Sequence, residues 1–276
     1  MLPSIDWSRP WFATVLPARR QLDLQRDTVI AALNVQARAL DLRNPSGLPL
    51  CFVPQADLPE GMAYEEFIGA TGGVPTRDNL HDFFNALVWL TFPRIKRQLN
   101  ALQAAQIALS GVGKSRGPAR DGATIFDENC ALLVLRDSDA GRALEAALRG
   151  HDWRSAFIMQ RDKFGAGGDA DADAEVWLFG HALMEKLVVP RKAITAHTRV
   201  IFAGDAYFAL DAAARRAWLD ERVAQDLASD GLTTADFTPL PVLGLPGWCE
   251  GQDDDFYNDA AVFRPKRKAA DPERDR

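Results

Sequence analysis

Three of the four histidines in this sequence keep company that could do chemistry: His81 beside Asp82, His181 four residues before Glu185, and His197. An imidazole and a carboxylate four residues apart on a helix share one face, which suits two ligands of one ion or a carboxylate that orients an imidazole. His81, Asp82, His181, Glu185 and His197 are therefore the candidate ligands of a divalent metal ion. The adjacent acids Asp127 and Glu128, at an expected turn, are candidate general bases. Together these residues describe a metal-assisted hydrolase, with the metal as its cofactor. They also admit a structural role, in which His81 and Asp82 pin a helix and His181 pairs with Glu185 for stability.

A second set is basic. Arg94, Lys96, Lys114, Arg116 and Arg120 could converge on an anion, which would make the protein a non-catalytic binder of a phosphate-bearing ligand or RNA. The net charge of −6 and the sequence pI near 5.3 do not favour nucleic acid as a partner, because that affinity comes from cations neutralising phosphates. A third reading is an interaction protein that docks through the aromatics Trp248, Phe256, Tyr257 and Phe263.

Several tempting motifs fail on their own terms. Gly111-Val-Gly-Lys-Ser lacks the glycine a phosphate loop needs at position 108, where Ala108 stands, and a helix is expected before it. Asp169, Asp171 and Asp173 imitate a calcium loop, but Ala174 occupies the place of its turning glycine. No G-x-S-x-G, H-E-x-x-H or G-x-G-x-x-G occurs. Three distant cysteines, Cys51, Cys130 and Cys249, form neither a disulfide framework nor a metal knuckle. With no signal-peptide pattern and no long uncharged apolar run, the expected location is the cytoplasm, with no membrane association.

The elements that must position these residues follow from periodicity. Apolar spacing predicts a helix within Leu22–Leu42, stopped by Asn44-Pro-Ser-Gly, and then a strand over Leu48–Val53. A central helix is expected over 78–92, capped by Thr76 or Asp78, with a second helix after Pro93. Two β-prone runs around Asp127-Glu-Asn predict a hairpin over 123–135. Further helices are expected over Ala140–Arg149, Val176–Val189 and Leu210–Ser229. Gly165–Ala174 reads as a mobile acidic loop whose removal should change stability little, and 265–276 as a disordered charged tail. The fold class is thus α+β: a predominantly helical single domain over 1–264 with a small antiparallel hairpin or sheet. Its core is expected around Phe83, Phe84, Leu87, Val88, Trp89, Leu183 and Leu187.

The stretch Val74-Pro-Thr-Arg-Asp-Asn-Leu-His-Asp-Phe-Phe-Asn-Ala-Leu-Val-Trp-Leu-Thr-Phe-Pro-Arg-Ile-Lys carries a resemblance. With it go Arg116-Gly, Arg120-Asp, Phe126-Asp-Glu, Gly180-His-Ala-Leu and Pro241-Val-Leu-Gly-Leu-Pro-Gly-Trp. The sequence resembles the proteobacterial family called domain of unknown function 3025 over nearly its whole length. The resemblance implies one coherent domain and brings no activity, cofactor or catalytic residue with it. Cys130 stands where that pattern would have glycine.

Overall fold

The computed structural model of the chain describes residues 4–110, 118–165 and 169–266. In chain order its elements are α1 (Leu16–Arg20), α2 (Val29–Ala39), β1 (Cys51–Pro54), α3 (Tyr64–Thr71), β2 (Gly73–Thr76), α4 (Leu80–Thr91), α5 (Pro93–Ser110) and α6 (Pro118–Asn129). There follow β3 (Cys130–Arg136), α7 (Asp139–Gly150), β4 (Ala174–Leu178), α8 (His181–Lys186), β5 (Thr195–Ala203), α9 (Asp205–Phe208), α10 (Ala212–Asp230), β6 (Thr238–Pro241) and α11 (Asp254–Tyr257). The helix-rich α+β class expected from the sequence is the one observed. No helix among the described residues is long and apolar enough to cross a membrane.

The larger sheet runs β4-β3-β5-β6, with β3 antiparallel to β4 but parallel to β5, and β5 antiparallel to β6. β3 is buried along Cys130–Leu135, which matches its unbroken apolar run: an inner strand covered on both faces has no polar side to show. A second pair, β1 and β2, is parallel, with Cys51 opposite Gly73. Gly72 makes the return from α3 possible. Its φ is +77°, and a Cβ there would meet the Pro49 carbonyl oxygen at 2.3 Å.

α4 is the central element. Phe83, Phe84, Leu87, Val88 and Trp89 are all buried, as are Leu183 and Leu187 from the α8 region, so the expected core residues do form the core. The cap of α4 is Asn79 rather than Thr76 or Asp78, its side chain accepting from the Asp82 amide at 2.8 Å. Pro93 ends α4 and begins α5, whose first amides, Arg94 and Ile95, donate to the Asp220 carboxylate on α10.

The structure departs from the sequence reading in four further places. Residues 123–129 are the end of α6, not the first arm of a hairpin: Ala123, Phe126 and Asp127 are buried at i, i+3 and i+4, one face of a helix. β3 takes its antiparallel partner from β4, within the stretch read as a helix over Val176–Val189. There β4 and α8 are separated at Phe179-Gly180.

Residues 169–174 are not a loose loop. The Arg136 guanidinium donates to the Ala170 and Ala172 carbonyls and pairs with Asp173, and Arg215 reaches the Asp169 carbonyl. The C-terminal aromatics are not a free docking segment either. Tyr257 and Phe263 are buried, the Tyr257 hydroxyl donates to the Gly244 carbonyl, and the Trp153 indole donates to the Arg264 carbonyl. Residues 267–276, most of the expected tail, lie outside the described residues, as does Gly111-Val-Gly-Lys-Ser.

Candidate functional site

His81 sits in the first turn of α4, and His181 is the first residue of α8, which packs across α4. Their Nε2 atoms lie 3.1 Å apart, with the rings at 80° and their centroids separated by 4.5 Å. Each ring turns its other nitrogen to a carboxylate. His81 Nδ1 is 3.0 Å from Glu185 Oε2, and His181 Nδ1 faces Asp127 Oδ2 at 3.7 Å, beyond hydrogen-bond length, so that nitrogen is buried without a hydrogen-bond partner. The i,i+4 pairing of His181 and Glu185 thus serves a third residue: both reach His81 from one face of α8.

A carboxylate beside an imidazole nitrogen favours the tautomer that carries its hydrogen there. Applied to both rings, this leaves two Nε2 lone pairs facing the same small space, an arrangement that accommodates a positive charge between them. His181 is neutral at pH 7: burial pulls it down to about 4, against the opposing pull of Asp127.

Behind the pair lies a buried polar chain. Lys96 from α5, almost wholly enclosed, puts its ammonium 2.5 Å from Asp127 Oδ1 and 2.8 Å from Asn85 Oδ1, and Asn85 donates to the Tyr64 hydroxyl. Burial works to raise Asp127, but the Lys96 ammonium and the His181 ring hold it below the usual carboxylate range. Burial pushes Glu65 up, and its side chain accepts from Asn100 at 2.5 Å. Burial also pushes the Tyr64 phenol well above its ordinary value.

These groups open onto a cavity of about 490 Å³, a size suited to a small molecule. His81, Asp82, Asp127, Glu128 and His181 all line it, so five sequence candidates from three helices share one concave site. Glu65, Asp82, Asp127 and Glu128 face the cavity with Arg77, whose guanidinium is engaged by Asp82 at 2.9 Å. Its field is acidic.

Of the remaining candidate ligands, neither Asp82, which lies on the cavity wall, nor His197 joins the histidine pair. Asp82 caps the turn before α4, held by the backbone and guanidinium of Arg77. His197, on β5, has its Nδ1 2.9 Å from Asn129 Nδ2 and its ring against Phe237. Among the described residues no group of three or more His, Cys, Asp and Glu side chains is arranged around a metal position, so the five-ligand set does not assemble.

Nor does the basic set. Arg94 pairs with Glu221, Lys96 is buried on Asp127, and Lys114 and Arg116 with the side chain of Arg120 lie outside the described residues. Sequence reasoning missed Tyr64, Glu65 and Arg77 as cavity residues. The one legible signal is Lys96, a lysine next to the apolar Ile95 in the first turn of an amphipathic helix, which the sequence reading gives to an anion.

A family model with the description "Protein of unknown function (DUF3025)" matches residues 50–267, a stretch that holds every residue of the site. No curated protein and no solved structure matches the chain.

Proposed function

This chain belongs to that DUF3025 family, and from its own site we propose that it is a hydrolase acting on a small polar substrate, neutral or cationic, bound in the cavity before His81 and His181. One observation carries this reading: two imidazoles converge through their Nε2 atoms at 3.1 Å on a cavity wall, each with its far nitrogen toward a carboxylate. At His81 the hydrogen bond to Glu185 fixes ring orientation and tautomer before a substrate arrives, while burial holds the His181 ring, and preorganisation of that kind lowers a reaction barrier.

In the proposed reaction a water attacks the electrophilic carbon of an ester or amide. A positive charge held between the two Nε2 atoms would stabilise the oxygen on which negative charge develops. Glu128, on the last turn of α6, accepts the proton of the attacking water and returns it to the leaving oxygen or nitrogen as its bond to carbon breaks. Asp127 is a poor base for this step because its charge is already engaged by Lys96. It is a positioning residue, acting through His181. The acidic lining argues against an anionic substrate: Asp82 and Asp127 are balanced by Arg77 and Lys96, and Glu65 and Glu128 leave the excess of acid on the wall.

The test is a screen of the full-length protein against neutral, cationic and anionic chromogenic esters and amides, with His81→Ala, Glu128→Gln and Asp127→Asn beside it. Turnover of a neutral or cationic member is expected, falling at least about 100-fold in His81→Ala and Glu128→Gln. A wild-type protein that turns over none of the panel, or His81→Ala with unchanged kcat/KM, would overturn the proposal.

A further inference from the structure

We propose that the hydroxyl of Tyr64 is a catalytic hydrogen-bond donor, giving its hydrogen to the carbonyl oxygen of the bound ester or amide and holding that oxygen as negative charge develops on it. The proposal rests on the hydrolase reading for the reaction, and on the buried polar chain alone for the donor.

The direction of that chain carries it. An ammonium has hydrogens to give and no lone pair, so the atom of Asn85 that faces Lys96 Nζ at 2.8 Å must be its oxygen. The far end of the amide is fixed with it: Nδ2 stands 2.9 Å from the Tyr64 hydroxyl. An amide nitrogen only donates, so the phenol oxygen accepts there and its own hydrogen must leave in another direction. Among the described residues Tyr64 donates no hydrogen bond, and the side chain of its neighbour Glu65 is turned to Asn100. Tyr64 is half-buried, and it lines with Asn85 the same cavity as His81 and His181, so the hydrogen faces the space a substrate fills. Lys96 is itself anchored on Asp127 at 2.5 Å, and the polarity of the whole chain is therefore set from a buried ion pair.

Two further features suit the group to this work. The phenol keeps its hydrogen at neutral pH, because burial, with the carboxylates of Glu65, Asp127 and Asp82, pushes it well above its ordinary value. An oxygen that already accepts from Asn85 is polarised by that bond and donates more strongly. A donor held in place before the substrate arrives needs no reorganisation during the reaction, and it contributes most at the oxygen where charge is growing.

The experiment compares full-length wild type with Tyr64→Phe and Asn85→Asp by two readouts. Tyr64→Phe removes the hydroxyl. Asn85→Asp leaves it in place but turns it round: the new carboxylate accepts from Lys96 and from the phenol, so the chain stays bonded while the hydrogen points away from the cavity. A merely structural role would be blind to that change. On an ester of the panel that wild type turns over, kcat should fall at least about 100-fold in Tyr64→Phe and at least about tenfold in Asn85→Asp, with KM little changed. The second readout needs no turnover. It is the infrared carbonyl band of isotope-labelled acetophenone, a neutral ketone that hydrolysis cannot cleave, added to saturation. Wild type should show a bound band at lowered frequency, absent in both variants.

An Asn85→Asp protein with wild-type kcat, or a wild type with no lowered band, would overturn the proposal. If the band is lowered as expected while none of the panel is turned over, the donor stands and the hydrolase reading falls. If all three proteins turn the panel over equally, the hydrolase reading stands and Tyr64 is only the end of a structural chain. Should Tyr64→Phe fail to fold, Asn85→Asp decides alone.

Discussion

Lys96 is the side chain on which the buried half of the site depends. Its ammonium touches Asp127, Asn85 and the face of Trp89, and almost none of it meets solvent. Lys96→Met would leave Asp127 ionised in a dry setting with only His181 nearby, so a loss of about 3–5 kcal/mol is expected in urea unfolding. Lys96→Met combined with Asp127→Leu should recover much of that loss, since removing both charges leaves no orphan. A single variant as stable as wild type would show that the pair does not matter. The same residue marks what could be read from the sequence. His81, His181, Asp127 and Glu128 stood out because each interrupts an apolar segment, and a group buried that way must find a partner. Lys96 stood out too, but its charge pointed the reading toward an anion. Its true partner, Asp127, lies on the next helix, α6, 31 residues along the chain, and no local pattern encodes that. Tyr64 and Glu65, in the first turn of the short helix α3, gave no signal at all.

At the scale of elements, the site exists because α8 begins where it does. Gly180 packs against the junction of α6 and β3, and a Cβ there would lie 2.6 Å from the backbone of Asn129 and Cys130. Gly180→Ala must therefore push α8, and His181 with it, away from His81. The expected outcome is kcat/KM on a turned-over ester or amide reduced at least about tenfold in a protein that still folds, measured alongside circular dichroism; an unchanged kcat/KM would mean that α8 can slide without cost.

The acidic segment before β4 shows the opposite fault in sequence reading. Its glycines, alanines and aspartates look mobile, yet Arg136 ties down two of its carbonyls and Asp173 while the guanidinium rests on Phe208. Arg136→Ala should lower stability by about 2–3 kcal/mol, or roughly 5–10 °C in Tm. A change below about 1 °C would restore the view of this segment as a loop. The helix α6 was missed for a related reason. The β-prone run Ala123-Thr-Ile-Phe hides the i, i+3, i+4 spacing of Ala123, Phe126 and Asp127, and burial of that face outweighs residue preference. α4 was legible because nearly all its circumference is apolar and proline ends it.

Across the whole molecule, the two halves of the chain are joined where Asp220 on α10 accepts the first amides of α5 at 3.1 and 2.9 Å. Burial pushes that carboxyl up to about 6, more than these bonds pull it down. The folded state therefore holds the proton more tightly than the unfolded chain, whose aspartates titrate near 3.9. The contribution is present below pH 4 and is lost as pH rises through 6, amounting to about 3 kcal/mol by pH 7. Subtracting the Asp220→Asn stability profile from that of wild type, between pH 4 and 7.5, should isolate this fall. A flat difference would show that Asp220 is not the group responsible.

The order of strands in the larger sheet bears on how the protein is made. β3 lies between β4 and β5, and β5 must in turn be flanked by β6. A ribosome delivers β3 long before either neighbour, so its run of Leu132, Leu133, Val134 and Leu135 emerges with two open edges and no cover. The parallel partner, β5, arrives only after α7, β4 and α8, and closing so distant a pairing is slow compared with forming the helices around it. During that interval the nascent chain carries its most adhesive segment unprotected, which is the condition under which chains associate with one another or need a chaperone.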